Sequence, residues 1–248
     1  MSIPRDQDIG QAPARTDGPR PDAGRPARGP VPRLALVAVP AALFALITWQ
    51  VVGKGPLLAA DRRASRALIE PDRASELLSD LGNVQIAVPA LILVLGYVAW
   101  RGLRAGAGRW WAAPLAAAVL MALLPAVVVP LKDWTGRHGT SAVPPGAGYY
   151  PSGHTATAVV AYGGAALVLL PWLRTARARR VALGLCAALV LAVSYGLVRR
   201  GYHWPLDVVA GWCLGAVLLS ALWLVIRRLS RSRRRSSSGR RSRCSGPS

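Results

Sequence analysis

The sequence is short of acid. Asp and Glu number 11 against 31 Lys and Arg, charged residues make up 17% of the 248, and 52% are hydrophobic and gathered in long blocks. A soluble globular domain does not have that profile. Lysine is nearly missing too, with Lys54 and Lys132 the two in the chain, so the net charge of +20 is almost wholly arginine. With abundant Ala, Gly and Pro, this is the bias of a GC-rich coding sequence, and it lowers the weight of any single arginine. Cys186, Cys213 and Cys244 are too few and too scattered for a disulfide framework or a thiolate metal site. From Lys132 to Asp207 the only acids are Asp133 and Asp207, which leaves no cluster able to hold Mg²⁺ or a dinuclear centre. No metal or other cofactor is expected.

What the chain does have is apolar length. A bilayer core about 30 Å thick needs ~20 apolar residues in helical form. Six runs approach or reach that length: Leu34 to Val52, Val84 to Trp100, Ala112 to Leu131, Thr155 to Leu173, Val181 to Val198 and Leu206 to Ile226. The expected fold is all-α, a polytopic membrane protein of six transmembrane helices over 34–226. The third run holds Pro114, Pro125 and Pro130, which a membrane helix tolerates when its neighbours satisfy the freed carbonyls.

Cations set the orientation, because short cytoplasmic loops collect Lys and Arg. Segments 1–33, 101–110, 174–180 and 227–248 hold 6, 3, 4 and 9 of them, whereas 53–83, 132–154 and 199–205 hold 5, 2 and 2. Both termini are therefore predicted to be cytoplasmic, in a multi-pass protein of the cell membrane, with the other three loops outside. Residues 1–33 and 227–248 lack apolar periodicity and are expected to be disordered tails. The basic C-terminal run is better explained by topology and contact with anionic lipid than by nucleic acid, and no nucleic-acid partner is expected. A signal peptide is not expected either, since a 19-residue apolar run after a 33-residue leader exceeds the usual h-region of about 7–15.

All three histidines, His138, His154 and His203, fall in the outward loops or at the helix ends beside them. Pro151-Ser152-Gly153-His154 stands at the start of the fourth run, where free N–H groups at a helix N-terminus form an anion site. His203 and Asp207 are four apart at the start of the sixth, so the carboxylate can reach the imidazole, fix its tautomer and free the other nitrogen as a nucleophile. Lys132 and Arg137 add two cations on the same side. Taken alone, those two are more simply headgroup anchors, and Ser152-Gly153-His154 an ordinary helix cap. Asp207 is harder to dismiss, since an acid entering an apolar run is costly. Their joint occurrence on one bilayer face points to phosphoryl chemistry.

These residues, in this order, resemble the type 2 phosphatidic acid phosphatase (PAP2) family, membrane lipid phosphatases related to the vanadium haloperoxidases. The family pattern is Lys-x6-Arg-Pro, Pro-Ser-Gly-His and Ser-Arg-x5-His-x3-Asp. The middle part matches in full at Pro151 to His154 and the outer parts match at Lys132, His203 and Asp207. The Arg-Pro positions fall on Gly139 and Thr140, with Arg137 two residues early, and the Ser-Arg positions on Gly196 and Leu197. The resemblance implies a lipid phosphate or diphosphate as substrate: His203 attacks phosphorus to give a phosphohistidine, Asp207 orients it, and His154 acts as acid and then base. Lys132, Arg137 and the Ser152-Gly153 backbone are expected to hold the phosphoryl oxygens. Arg200, three residues beyond Leu197, is expected to supply the missing cation, with Arg199 the second choice. Transfer to another acceptor uses the same residues, and a catalytically weak lipid-phosphate binder is the alternative from another class. The loop 53–83, with Arg62, Arg63, Arg66, Ile69, Leu77, Leu78 and Leu81 among acids, reads either as an amphipathic helix covering the site or as a plain connector.

Overall fold

The computed structural model describes the backbone of residues 31–241 and the side chains of 35–229. The helices are α1 (Val31–Val52), α2 (Leu57–Leu68), α3 (Arg73–Asp80), α4 (Val84–Arg104), α5 (Ala112–Thr135), α6 (Gly153–Leu169), α7 (Ala176–Arg199) and α8 (Pro205–Arg241), with a single 3₁₀ turn at Leu170–Trp172. Six of them are long and apolar enough to cross a membrane. These six follow the runs expected from sequence, and the described residues contain no strand.

Helix α6 is the axis of the bundle. Two thirds of its span (67%) is buried, against 22–33% for the other five; α4, α5, α7 and α8 pack around it, while α1 packs against α8. Its sequence explains the placement, because Ala156, Ala158, Ala161, Gly163 and Gly164 let neighbouring helices approach closely. A Cβ on Gly163 would stand 2.4 Å from Leu219 of α8. Ser152 caps the helix start by accepting from the Thr155 N–H, and Tyr162 donates to the Leu81 carbonyl at 2.6 Å, fixing the end of α3 to the axis.

The short helices invert the usual amphipathic arrangement. Helix α2 buries Asp61 and Ser65 while Leu57 and Leu68 are exposed, and α3 buries Ser75 and Ser79 while Leu77 is exposed. Small polar residues face protein and leucines face outward, as suits two helices seated between the bundle and the membrane interface. Helix α3 lies against α7 at Gly196, where a Cβ would meet the Ser79 nitrogen at 2.5 Å and the Ser75 oxygen at 2.6 Å. Only glycine allows that approach.

Helix α8 runs on to Arg241. Arginine is a good helix former, and no proline interrupts the stretch. The remainder of both tails, 1–30 and 242–248, lies outside the described residues.

Candidate functional site

Four segments converge at one end of the bundle. Helix α5 ends at Gly136, whose φ of 53° is left-handed and whose N–H closes on the Lys132 carbonyl, so Lys132 sits in the last turn and the chain leaves as a loop. That loop is tied to the next. Thr140 donates to the Gly201 carbonyl, Trp204 Nε1 donates to the His138 carbonyl at 3.0 Å, and the Ser152 N–H donates to the Asp207 carbonyl at 3.1 Å. Tyr150, fully buried, links Thr135 through its carbonyl and Thr48 of α1 through its hydroxyl. Burial pushes the Tyr150 phenol up to about 12. These ties bring His154 and His203 together with ring centroids 6.2 Å apart.

Asp207 is fully buried and densely partnered. One carboxylate oxygen accepts from the Trp204 N–H at 3.2 Å and faces His203 Nδ1 at 3.4 Å, and the other pairs with Arg137. With Nδ1 turned to the carboxylate, Nε2 is the imidazole nitrogen left to react. The His203 side chain is itself buried, with Tyr149 edge-on to its ring. His154 is exposed, on the first turn of α6.

Below His154 a cavity of about 740 Å³ opens between α4, α5 and α6. Lys132, Gly153 and His154 form its polar head, and its walls are apolar. Val84, Val88, Leu91 and Leu95 line it from α4, and Ala118, Ala122, Pro125 and Val129 from α5. From Lys132 to Ala118 the α5 stripe descends ~21 Å at 1.5 Å per residue. Gly82, at the end of α3, sits against His154: a Cβ there would lie 3.3 Å from the His154 Cβ.

Several residues expected to hold phosphate have other partners. Arg137 is bound on both sides by buried carboxylates, Asp207 and Asp61 of α2. Ser152 uses its hydroxyl in the helix cap and its N–H on Asp207, so the expected free pair of amides shifts one residue on. Among the described residues, the N–H groups of Gly153 and His154 have no hydrogen-bond acceptor. Arg200 turns to Tyr202 at 3.2 Å and Glu76 at 3.8 Å, with its Nε buried and unpaired, and Arg199 turns to Glu70 and Asp72. Leu197 itself is fully buried, and its carbonyl accepts from Tyr202. His138 is held by the Gly146 carbonyl, apart from the paired rings of His154 and His203.

Sequence reading missed Asp61. It is buried, accepts from the Leu206 N–H at 2.9 Å and pairs with Arg137. Burial raises its carboxyl above the usual range, against the opposing pull of the Leu206 amide and Arg137. The available signal was an acid in an otherwise Ala- and Leu-rich helix, but five acids share that loop and nothing in the sequence ranks them.

Comparison with known proteins points to one family. Residues 113–231 match the PAP2 superfamily. Over 67 residues the chain is 45% identical to an undecaprenyl-diphosphatase of Sulfolobus acidocaldarius, a stretch covering 27% of this chain and 28% of that protein. The fold is shared with the crystal structure of a transmembrane PAP2-type phosphatidylglycerolphosphate phosphatase from Bacillus subtilis. The TM-score is 0.60 and the identity 21%, over 77% of this chain and 96% of that one.

Proposed function

From the match of residues 113–231 to the PAP2 superfamily, we propose that this protein is an integral membrane phosphatase that hydrolyses a lipid phosphate or diphosphate at the outer membrane face. The observation that carries the reading is the paired His203–Asp207 and adjacent His154 at the head of an apolar cavity in the bundle wall. The reacting phosphate sits at His154 and Lys132 while its hydrocarbon tail lies along α4 and α5. Polyprenyl and acyl tails both suit such walls. The cation distribution supports the outer face, with both termini on the cytoplasmic side.

The chemistry runs in two displacements. His203 Nε2 attacks phosphorus as the bond to the lipid oxygen breaks, and His154, protonated, gives its proton to that leaving oxygen. Asp207 stabilises the charge that develops on the His203 ring. His154, now neutral, takes a proton from water, whose oxygen attacks phosphorus and breaks the P–N bond, returning His203 and releasing inorganic phosphate. Lys132 and the Gly153 and His154 amides stabilise the equatorial oxygens. No metal enters the scheme.

The test is phosphate release by the detergent-purified protein in EDTA from polyprenyl diphosphate, phosphatidate and a phosphatidylglycerol phosphate, wild type beside His203→Ala. Release lost in the variant is expected, and complete loss of wild-type release on chelation would overturn the scheme. A second reading has one observation in its favour. With Arg137 held by carboxylates and Leu197 in the place of an arginine, Lys132 is, among the described residues, the one cationic side chain at the head of the cavity, as suits a slow enzyme or a binder of lipid phosphate. Binding of all three lipids without wild-type turnover would favour it.

A further inference from the structure

The side chain of Asp61 is completely enclosed, and both of its oxygens are used: one accepts from the Leu206 N–H and the other pairs with Arg137. The opposite side of the same guanidinium holds Asp207. The result is a chain of four groups, Asp61, Arg137, Asp207 and His203, that runs from α2 through the 136–152 loop to the start of α8. Burying one carboxylate beside one arginine makes a neutral pair, whereas burying two around one arginine leaves a net negative charge in a site of low dielectric. An arrangement so costly needs a use for the second carboxylate.

We propose that Asp61 is a positioning residue for the His203–Asp207 pair, holding Arg137 so that the guanidinium orients Asp207 without cancelling its charge. This rests on the reading of His203 as the nucleophile. Without Asp61, Arg137 pairs with Asp207 alone, the carboxylate is neutralised, and the imidazole loses the partner that stabilises its positive form. With it, Arg137 is shared, and Asp207 retains net charge facing Nδ1. The Leu206 N–H bond also sets Asp61 against the first turn of the helix that carries Asp207, so distance and charge are fixed together. The role gives α2 a purpose beyond connecting α1 to α3.

The other groups around His203 are His154 of α6, with Lys132 of α5 next to it, and Tyr149 of the loop, and Arg200 beyond them turns to Tyr202 and Glu76. All are unchanged by substitution at 61, so a change in His203 reports on the four-group chain. The experiment is a ¹⁵N NMR titration of the His203 imidazole in the full-length detergent-solubilised protein, its signal identified by absence in His203→Ala. In Asp61→Asn the His203 titration is expected to move to lower pH, because a negative charge near the ring is lost. Arg137→Gln is expected to raise it, and Asp61→Asn with Arg137→Gln to return it close to the wild-type value. That compensation is what a merely structural Asp61 does not produce.

A folded Asp61→Asn protein with an unmoved His203 titration would overturn the proposal. If that variant does not fold, the double variant set against Arg137→Gln decides: equal His203 pKa values in the two would overturn it equally. The acid limb of the kcat/KM profile is expected to move with the titration. Failure of the phosphatase reading is separate, appearing as a wild type that releases no phosphate while the His203 titration still responds to residue 61.

Discussion

In the proposed reading the lipid tail lies in the cavity between α4, α5 and α6, and Ala122→Trp tests that. Ala122 lines the cavity, is exposed on its own helix, and stands ten residues below Lys132, ~15 Å along the axis. A tryptophan there fills the middle of the channel with little disturbance to the packed core. Each methylene excluded from an apolar wall loses about 0.8 kcal/mol. A plug that displaces three from contact costs about 2.4 kcal/mol, or roughly 50-fold in kcat/KM. The assay compares two substrates of the same enzyme: a long-chain lipid phosphate in detergent micelles and a soluble phosphate ester with no tail. The long-chain substrate is expected to lose roughly 50-fold while the soluble one is unaffected, since the plug lies far from His154. Equal losses for both, or no loss for either, would refute the placement of the tail in this cavity.

Three further outcomes follow from the site. His154→Ala is expected to cost about 10²- to 10⁴-fold in turnover of an alkyl phosphate, and less in the first step for an aryl phosphate whose leaving group needs no proton; burst kinetics separate the two. Leu197→Arg, which restores the family's residue, is expected to lower the thermal midpoint and to give no gain in kcat/KM, because residue 197 is fully enclosed beside α3 and an arginine there is a buried unpaired charge. Thermal scans at rising alkaline pH are expected to show stability being lost through Tyr150. Its folded value is raised to about 12 from an ordinary 10, so its contribution is complete below pH 10 and is lost as pH rises through 12; Tyr150→Phe flattens that decline.

Much of this architecture was legible because its signals are strong and local. Six apolar runs become six long helices, and the His203–Asp207 pair follows from four-residue spacing at a helix start. The partners of the arginines were not legible. Arg137 is in a loop, where no periodicity says which way a side chain turns, and its second carboxylate is 76 residues earlier in sequence. The absence of Ser-Arg at 196 and 197 read as a gap to be filled by Arg200. In the structure Gly196 is where α3 closes on α7, and that contact encloses Leu197 and directs Arg200 toward Glu76. Helix α2 is similar. Its leucines pointed to a membrane surface, but the face that reaches Arg137 and Leu206 is the polar one, buried through tertiary packing that sequence alone does not display.

The most direct test of the central claim is covalent. Phosphohistidine survives alkali and is cleaved by acid, so a rapid alkaline quench of the enzyme turning over a ³²P-labelled lipid phosphate, followed by peptide mass spectrometry, identifies the nucleophile. Phosphate is expected on His203 in the wild type, with no label in His203→Ala. Label on a different residue, or phosphate release from His203→Ala at the wild-type rate, would contradict it.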